Sequence, residues 1–542
     1  MENWSLHPRP QMKRDLFLIL KDNWTLNRMP ITMPYPPQSK LSGFNHGVGN
    51  VLNYKCSFTI PTSFTKKRIL LHFGAVDQFA SVKLNGKHIG ENEGGYIPFF
   101  FDVTDEINRY GENILEVVAT DKLDTDYPYG KQSNTPSGMW YTPVSGIWQN
   151  VWLENVPDTY IQHLSMDMDL NSVGIEVNTN KKIDNYHIDI HMPDGSILEK
   201  NISGNYGTIK IDHPIHWTCD NPYLYKCFIS CGEDTVESYF GLRTITIENI
   251  KGINRVCLNG EQIFMHGVLD QGYFHDGLFL PKSEEGYDKD ILAMKELGFN
   301  LLRKHVKIEP EYFYYACDKL GILVMQDMVN SGEYSFMRDT AMPTAGFKKR
   351  EDVLLSKENI RRQIFEKQLK LTIKHLYNHP SIIAYTIFNE GWGQFNSDEM
   401  YDLAKDLDRT RLVDATSGWF HQNNSDFDSE HIYFKNKTLK PKERPLFVTE
   451  CGGYKFMDSD HFFGDKEYGY GSCKTMGDFM CKIEEMYEKM IIPAMNKGVC
   501  GCIYTQLSDV EGEINGLYTY DRQVCKVDKG RMNVIKEKLT FA

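Results

Sequence analysis

The sequence lacks the features that would indicate a membrane or a nucleic acid as a partner. It has no run of 18 apolar residues, which is about the length that a membrane-spanning helix needs. It also has no run of five basic residues and no zinc-type spacing. Its net charge of −13 gains nothing from the phosphate electrostatics that drive nucleic-acid binding. The early apolar run LFLIL at 16–20 is too short for a secretory signal, so we expect none.

A cysteine spacing that would form a disulfide framework is also absent. The twelve cysteines are scattered, and Cys500 and Cys502 fall within an apparent core strand. Reduced thiols buried in a cytoplasmic protein are the simplest interpretation. The sequence therefore predicts a cytoplasmic location.

The residues that are present suffice for several folded domains. A chain of 542 residues exceeds one ordinary domain, and a content of 41% hydrophobic and 25% charged residues is typical of globular proteins. Residues 1–155 show short alternating segments separated by turns, with Asn85-Gly86 as a hairpin signal, which predicts an antiparallel β-sandwich. Residues 156–247 continue this pattern over the length of an immunoglobulin-like sandwich.

From residue 248 to 542, strands alternate with helical patterns. Eight candidate strands with interleaved helices match a (β/α)8 TIM barrel in size and count. The sixth candidate, HIYF at 431–434, has the weakest pattern, and a doubly wound sheet is the alternative. The predicted architecture is two β-sandwich domains followed by a TIM barrel.

Two glutamates follow buried strands of this barrel. The apolar segment 381–388 runs directly into Asn389 and Glu390, and the segment 446–449 runs into Glu450. Active sites of TIM barrels lie at the carboxyl ends of the strands, so these two carboxylates could face each other across the mouth. Opposed carboxylates are the apparatus of glycoside hydrolysis. The alternative is that both are structural, but a glycine follows each within two residues, and glycine lets a substrate approach closely.

At these residues the chain resembles glycoside hydrolase family 2, which includes β-galactosidases, β-glucuronidases and β-mannosidases. The motifs that carry the resemblance are LNGKHIGENEGGYIPFFFDVTD, SGIWQNVWLENV, ELGFNLLRKHV, NHPSIIAYTIFNEGWG and LFVTECGGY. The resemblance implies a jelly-roll-like sugar-binding sandwich, an immunoglobulin-like sandwich and a catalytic barrel. It also implies a retaining mechanism, with Glu390 as the acid/base and Glu450 as the nucleophile.

The resemblance implies roles for further residues of the barrel. Asn389 would bind the sugar 2-hydroxyl, Arg303 would keep Glu450 ionised, and Tyr433 would contact Glu450. Asp270 and His305 would contact other hydroxyls of the sugar; the alternatives are a loop cap for Asp270 and a hydrogen-bonded structural histidine of the barrel for His305. Trp392, Trp419 and Tyr504 would contact the apolar faces of the sugar, and packing in the core is the alternative for these three.

The chain also departs from parts of the family pattern. Asp327 stands where large β-galactosidases place a metal-ligating glutamate, so we expect no metal. Glu513 stands in the stretch where β-glucuronidases bind the sugar carboxylate with Asn-x-Lys, and it would repel a uronate, although Lys526 or Arg522 could serve instead.

The predicted function is that of a retaining exo-β-glycosidase of small glycosides that needs no cofactor, with β-galactosidase as the first choice. A β-glucuronidase or β-mannosidase is the alternative within the same chemistry, and a non-catalytic carbohydrate-binding homologue is the alternative outside it. The resemblance suggests a homo-oligomer, and the loop at 123–136 is a candidate to reach the rim of the pocket.

Overall fold

The computed structural model describes residues 7–352, 359–433 and 435–541. Two all-β units precede an α/β barrel, so the predicted architecture is confirmed. Over the described ranges, no helix is long and apolar enough to cross a membrane.

The first unit is an antiparallel sandwich with sheets in the orders β1-β12-β5-β9 and β3-β2-β4-β10-β7-β8, plus the pair β11-β6. Its strands are β1 (Phe17–Ile19), β2 (Trp24–Leu26), β3 (Met29–Pro30), β4 (Val51–Phe58), β5 (Arg68–Phe73), β6 (Val76–Asp77), β7 (Phe79–Leu84), β8 (Lys87–Glu93), β9 (Phe99–Asp102), β10 (Asn113–Thr120), β11 (Gly146–Ile147) and β12 (Val151–Val156). Asn85 and Gly86 join β7 to β8 with φ of 52° and 79°, as a two-residue hairpin requires, so that turn prediction is confirmed.

The second unit packs a three-stranded sheet, β13-β14-β17, against a four-stranded sheet, β16-β15-β18-β19. Its strands are β13 (Ile161–Met168), β14 (Ser172–Thr179), β15 (Asn185–His191), β16 (Ile197–Ser203), β17 (Tyr206–Lys210), β18 (Tyr225–Cys231) and β19 (Asp234–Phe240). A small sheet of β20 (Ile245–Ile250), β21 (Ile253–Leu258) and β22 (Glu261–Gln262) follows and shares a core with the interior of the barrel. The domain boundary predicted at residue 247 falls within β20.

Eight parallel strands form the barrel, hydrogen-bonded in the order β27-β26-β25-β24-β23-β32-β29-β28. They and the elements between them are β23 (Met265–Asp270), α1 (Glu285–Glu296), β24 (Leu301–Lys304), α2 (Glu311–Leu320), β25 (Leu323–Asp327), α3 (Met342–Thr344), α4 (Asn359–Leu376), β26 (Ile382–Asn389), α5 (Ser397–Leu407), β27 (Leu412–Ser417), β28 (Asp428–Ile432), β29 (Leu446–Gly452), β30 (Tyr454–Lys455), β31 (Tyr470–Ser472), α6 (Met476–Met486), α7 (Ile492–Met495), β32 (Val499–Thr505) and α8 (Lys529–Lys538). The ladder ends on β27 and β28, which are consecutive in the chain and adjacent in space, so the sheet is a nearly closed barrel and the doubly wound alternative is wrong.

The sixth strand lies earlier than its sequence pattern indicates. It covers Asp428–Ile432 rather than 431–434, and Phe434 lies outside the described residues. One edge of this strand faces β27 across the seam of the barrel and is not hydrogen-bonded to it. Its residues therefore alternate in burial and give a weak apolar signal.

Two buried arginines join the three units. Arg14 binds Glu154 of the first sandwich at 2.7 Å and Asp234 of the second at 2.9 Å. Arg243, just after the second sandwich, donates to the carbonyl of Ile382 at the start of β26 at 2.8 Å. Buried charges persist only where they are paired or hydrogen-bonded, so these contacts fix how the sandwiches sit against the barrel.

Candidate active site

The backbone around Glu390 turns sharply at the carboxyl end of β26. Glu390 has a φ of 54°, and it is held there because its N–H donates to the carbonyl of Ser417 at 2.9 Å and its own carbonyl accepts from Trp419 at 3.0 Å. Positive φ at a residue other than glycine is strained and clusters at functional sites. Gly391 follows with a φ of 72°, and a Cβ there would lie 2.1 Å from the ring of Phe420. A side chain at position 391 would therefore clash with Phe420, and the predicted close approach of a substrate to this glycine stays a prediction.

The side chains of Glu390 and Glu450 both lie next to His431. A carboxylate oxygen of each and a ring nitrogen of His431 all lie within 4.8 Å of one another. His431 Nδ1 is 2.7 Å from Glu390 Oε1, and its Nε2 is 3.6 Å from Glu450 Oε1. In glycosidases, carboxyl groups about 5–5.5 Å apart act by direct attack, whereas a gap of about 6.5–9.5 Å admits a water. The observed spacing fits the first geometry.

Glu450 is held in its ionised form. Its Oε1 is 3.2 Å from Arg303 Nη1, and its Oε2 accepts the hydroxyl of Tyr433. Burial by itself raises the pKa of this carboxyl, but the charges of His431 and Arg303 outweigh burial and lower the pKa to about 2. A carboxylate that must attack an electrophilic carbon needs this state.

Arg303 lies beneath the pocket rather than on its surface. Its side chain has no exposed surface, and besides Glu450 it donates to Asn389 Oδ1 at 2.9 Å and to Asp327 at 2.9 Å. Arg303 lies next to Glu450, as the sequence predicted, and its contact with a substrate stays a prediction. Through these bonds Arg303 orients Asn389 and Glu450 together.

His305 is buried and presents one free nitrogen. Its Nδ1 is 2.7 Å from Asp327 Oδ2, while Nε2 has no hydrogen-bond partner among the described residues. Burial and the charge of Lys131 outweigh Asp327 and lower the pKa of His305 to about 4, so the ring is neutral near pH 7. When the ring proton is on Nδ1, facing Asp327, Nε2 can accept a hydrogen bond from a hydroxyl group, as the expected contact with the sugar requires.

Asp270 ends β23 at the edge of the same pocket. Its carboxylate accepts from Lys304 Nζ at 2.5 Å and from the N–H of Gly272 at 2.8 Å. Burial raises its pKa, but the lysine outweighs burial and the net pKa is lowered. Its side chain is only slightly exposed, so a contact with a sugar hydroxyl stays a prediction.

The three predicted aromatic walls are buried. Trp392 donates to the carbonyl of Gly332 at 2.8 Å and packs edge-on against Trp140 at 5.1 Å. Trp419 supports the carbonyl of Glu390, as described above, whereas Tyr504 has no exposed surface and packs in the core between the barrel strands and the helices. The contact of each of the three rings with a sugar face stays a prediction.

The loop at 123–136 of the first sandwich lies against the mouth of the barrel. Tyr129 donates its N–H to the carbonyl of Asn330 at 3.0 Å and its hydroxyl to the carbonyl of Gly332 at 3.0 Å. Its ring also packs edge-on against Trp392 at 5.4 Å. The loop therefore packs against Trp392, two residues after Glu390, and its contact with a substrate stays a prediction.

Two cations that were considered for a uronate are already engaged. Lys526 is buried and binds Asp509 at 2.7 Å, while Arg522 pairs with Asp290 at 3.2 Å. Asp327, considered for a metal, is occupied by Arg303 and His305. The expected absence of a metal stays a prediction.

Sequence reasoning missed His431, although a signal for it was present. His431 and Tyr433 are two residues apart, the period at which side chains of an extended chain share a face. A residue two positions before the predicted tyrosine therefore points the same way, toward the two carboxylates.

An anionic carboxylate facing a second carboxyl at this spacing, in the mouth of a TIM barrel, is the arrangement of glycosidase active sites. Three sequence profiles match the chain. "Glycosyl hydrolase 2 galactose-binding domain-like" covers residues 48–145, "Glycosyl hydrolases family 2" covers 159–243, and "Glycosyl hydrolases family 2, TIM barrel domain" covers 249–444. The chain belongs to glycoside hydrolase family 2.

Curated relatives carry two different activities. A β-galactosidase of Thermoanaerobacter pseudethanolicus is 27% identical over 74% of this chain and 54% of its own length. A β-glucuronidase of Bacteroides fragilis is 26% identical over 77% of this chain and 62% of its own length. The chain thus spans roughly half to three fifths of these relatives.

Solved structures share the whole architecture. A β-D-glucuronidase of Dictyoglomus thermophilum superposes with a TM-score of 0.77 and 18% identity over 99% of this chain and 98% of its own. A β-glucuronidase of Ruminococcus gnavus superposes with a TM-score of 0.75 and 17% sequence identity over the full length of both chains. At this identity the similarity shows the fold.

Proposed function

We propose that this chain is a retaining exo-β-glycosidase. The observation that carries the proposal is the close approach of Glu390 and Glu450, bridged by His431, with Glu450 ionised. Membership of glycoside hydrolase family 2 supports the same reaction class. A non-catalytic homologue would be favoured if one of the catalytic residues were missing. Both carboxylates and Asn389 are present, so the catalytic alternative is preferred.

The proposed reaction proceeds in two displacements. Glu450 attacks the anomeric carbon while Glu390 gives its proton to the glycosidic oxygen, so the aglycone leaves as the alcohol and a glycosyl ester of Glu450 forms. Glu390, now a carboxylate, takes a proton from water as the water oxygen attacks the same carbon. The bond to Glu450 breaks and the sugar leaves with its original configuration.

Residues around the pair would stabilise the transition state. Asn389, oriented by Arg303, would bind the 2-hydroxyl, and the free Nε2 of His305 would accept another hydroxyl. Tyr433 and Arg303 would again hydrogen-bond to the carboxylate of Glu450 when the ester is hydrolysed. Each of these groups is already held in place, so little reorganisation is needed during the reaction.

For the glycone we propose a neutral β-hexoside, with galactoside first. The β-galactosidase relatives and the engaged states of Lys526 and Arg522 support this choice, whereas the β-glucuronidase structures favour a uronide. The cytoplasmic location and the homo-oligomer stay predictions from the sequence.

The test is hydrolysis of 4-nitrophenyl β-glycosides of galactose, glucuronic acid, glucose, mannose and fucose, with proton NMR of the sugar as it is released. We expect turnover of a neutral member with the β-anomer appearing first. The α-anomer first would refute retention. No turnover of any member by folded protein would instead support the carbohydrate-binding homologue.

The ion pair of Arg303 with Glu450 predicts a pH effect. Arg303→Met removes a cation that lowers the pKa of Glu450, so this pKa should rise and the acid limb of kcat/KM should move up by about one to three pH units. Arg303→Lys keeps the charge and should move the limb less. Circular dichroism melting over the same pH range separates this shift from unfolding, and an unchanged limb in a folded Arg303→Met enzyme would contradict the assignment.

A further inference from the structure

The ring of His431 is enclosed at the carboxyl end of β28. Its side chain has no exposed surface, and the register of β28 with β29 places it opposite Glu450. The edge of Trp419 packs against it at 5.5 Å between the ring centroids. Gly418 also lies against the ring, and a Cβ at this position would be 2.8 Å from Nδ1. The ring therefore has little room to turn, and each of its nitrogens keeps a fixed neighbour.

The neighbour of Nδ1 is Glu390, of which only one carboxylate oxygen is engaged. Nδ1 lies 2.7 Å from Glu390 Oε1. Glu390 Oε2 has no hydrogen-bond partner within the described ranges, and 15% of the side chain of Glu390 is exposed. Oε2 is thus the oxygen that is left to face the glycosidic oxygen of a bound substrate.

The neighbour of Nε2 is Ser417, which contacts both His431 and Glu390. Ser417 Oγ lies 3.0 Å from Nε2, and the carbonyl of Ser417 accepts the N–H of Glu390 at 2.9 Å. Two groups of opposite charge also face Nε2, namely Arg303 Nη1 at 3.5 Å and Glu450 Oε1 at 3.6 Å. The ring of His431 and the backbone of Glu390 are thus tied to the same residue at the end of β27, which fixes the contact between Nδ1 and Oε1.

The two displacements require different states of Glu390 but the same behaviour of its Oε1. In the first displacement the proton has to be on the oxygen that faces the substrate, so Oε2 carries it and Oε1 is a carbonyl oxygen, which can only accept. In the second displacement Glu390 starts as a carboxylate, and both of its oxygens accept. A proton on Oε1 that pointed to His431 would instead be directed away from the glycosidic oxygen. A donor at Nδ1 therefore fits both states of Glu390.

We propose that His431 is a positioning residue whose Nδ1–H donates to Glu390 Oε1 throughout the reaction, so that Oε2 is the oxygen that exchanges protons. Oε2 gives its proton to the glycosidic oxygen in the first displacement and takes one from water in the second, so the protons balance without a further group. The proton of His431 stays on Nδ1 whether or not Nε2 is protonated as well. This inference rests on the proposed function, because it assigns the two oxygens of the proposed acid/base.

The direct test is nitrogen NMR of the enzyme with isotope-labelled histidine. The signals of His431 are identified by their absence from the spectrum of His431→Asn. We expect a protonated Nδ1 in the free enzyme, and again in the glycosyl-enzyme trapped with a 2-deoxy-2-fluoro glycoside of the preferred sugar. An Nδ1 without a proton in either state would overturn the proposal. The measurement on the free enzyme needs no turnover, so it tests the proposal even if hydrolysis is absent.

Variants of His431 distinguish the donor from simple packing. His431→Asn puts an amide nitrogen near the place of Nδ1, His431→Gln puts one near the place of Nε2, and His431→Phe keeps a ring without a donor. On an alkyl glycoside, His431→Gln and His431→Phe should lower kcat/KM by about 10–10²-fold, the value of a hydrogen bond to a charged group, whereas His431→Asn should stay within about fivefold of the wild type. On the 2,4-dinitrophenyl glycoside, which leaves without a proton, kcat/KM of every variant should stay within about fivefold.

The matched control is His191→Phe at an exposed histidine of β15, which should leave both rates unchanged. Equal losses on the two substrates, or a recovery in His431→Gln as large as in His431→Asn, would indicate a packing role and overturn the proposal. Melting curves identify any variant that fails to fold, and the NMR measurement on the wild type then decides. Absent hydrolysis by the folded wild type would by itself overturn only the proposed function.

Discussion

Glu450→Gln is expected to hydrolyse the preferred 4-nitrophenyl glycoside about 10⁴–10⁶-fold more slowly than the wild type, the loss typical of removing a nucleophile. The amide keeps the size of the side chain and can still accept the hydroxyl of Tyr433, but it cannot form the glycosyl ester. The measurement is kcat from initial rates at saturating substrate, with the melting temperature as a check on folding.

The control for this variant is Glu467→Gln, the same change at an exposed glutamate that pairs with Lys455 at 3.0 Å. It should retain full activity. A second variant, Glu450→Ala, leaves room for azide to attack from the vacated side, which should give the α-glycosyl azide by inversion. Formation of the β-azide, or a residual rate within about tenfold of the wild type in Glu450→Gln, would show that Glu450 is not the nucleophile.

Glu390→Gln should discriminate between leaving groups. An alkyl glycoside needs a proton on its leaving oxygen, so its kcat/KM should fall by about 10²–10⁴-fold, the usual contribution of a general acid. A 2,4-dinitrophenyl glycoside leaves without that proton, so its kcat/KM should stay within about tenfold of the wild type. Its kcat should still fall, with a burst of dinitrophenol, because Glu390 is also the base of the second displacement.

The matched control is Glu399→Gln on α5, where the glutamate is exposed and accepts from Asn396 at 2.8 Å. Equal losses of kcat/KM on both substrate types would contradict the assignment of Glu390 as the general acid. Azide added to Glu390→Ala should give the β-glycosyl azide, because it then attacks the glycosyl ester from the face that the aglycone left.

These two roles also depend on a residue that lies between them. His431 Nδ1 lies 2.7 Å from Glu390, and Nε2 hydrogen-bonds to Ser417 Oγ at 3.0 Å and lies 3.6 Å from Glu450, so a change of either carboxylate alters the surroundings of the same ring. The leaving-group series and the two azide products separate the roles by chemistry rather than by the size of the loss, and this separation does not require the two sites to be independent.

The order of elements was predictable from the chain because it rests on local patterns. Alternation of period two in the first 240 residues, the Asn85-Gly86 turn and the later alternation of strands with helices each reflect a backbone preference that acts over a few residues. The same reasoning put Glu390 and Glu450 at strand ends, since parallel strands of a barrel all point their carboxyl ends to one face. The sixth strand was misplaced because it borders the open seam of the barrel and lacks a continuous apolar run.

Tertiary structure decided what lies between and beneath those two glutamates. Only folding brings His431 between them and places Arg303 under Asn389 and Glu450, contacts between residues that lie tens of positions or more apart in the chain. These neighbours then set the charge state: burial by itself raises the pKa of Glu450, but the charges of His431 and Arg303 outweigh burial and lower it to about 2. The sequence by itself thus determined the fold and the two carboxylates, whereas the distances and the charge states arise from packing between distant segments, which no local pattern encodes.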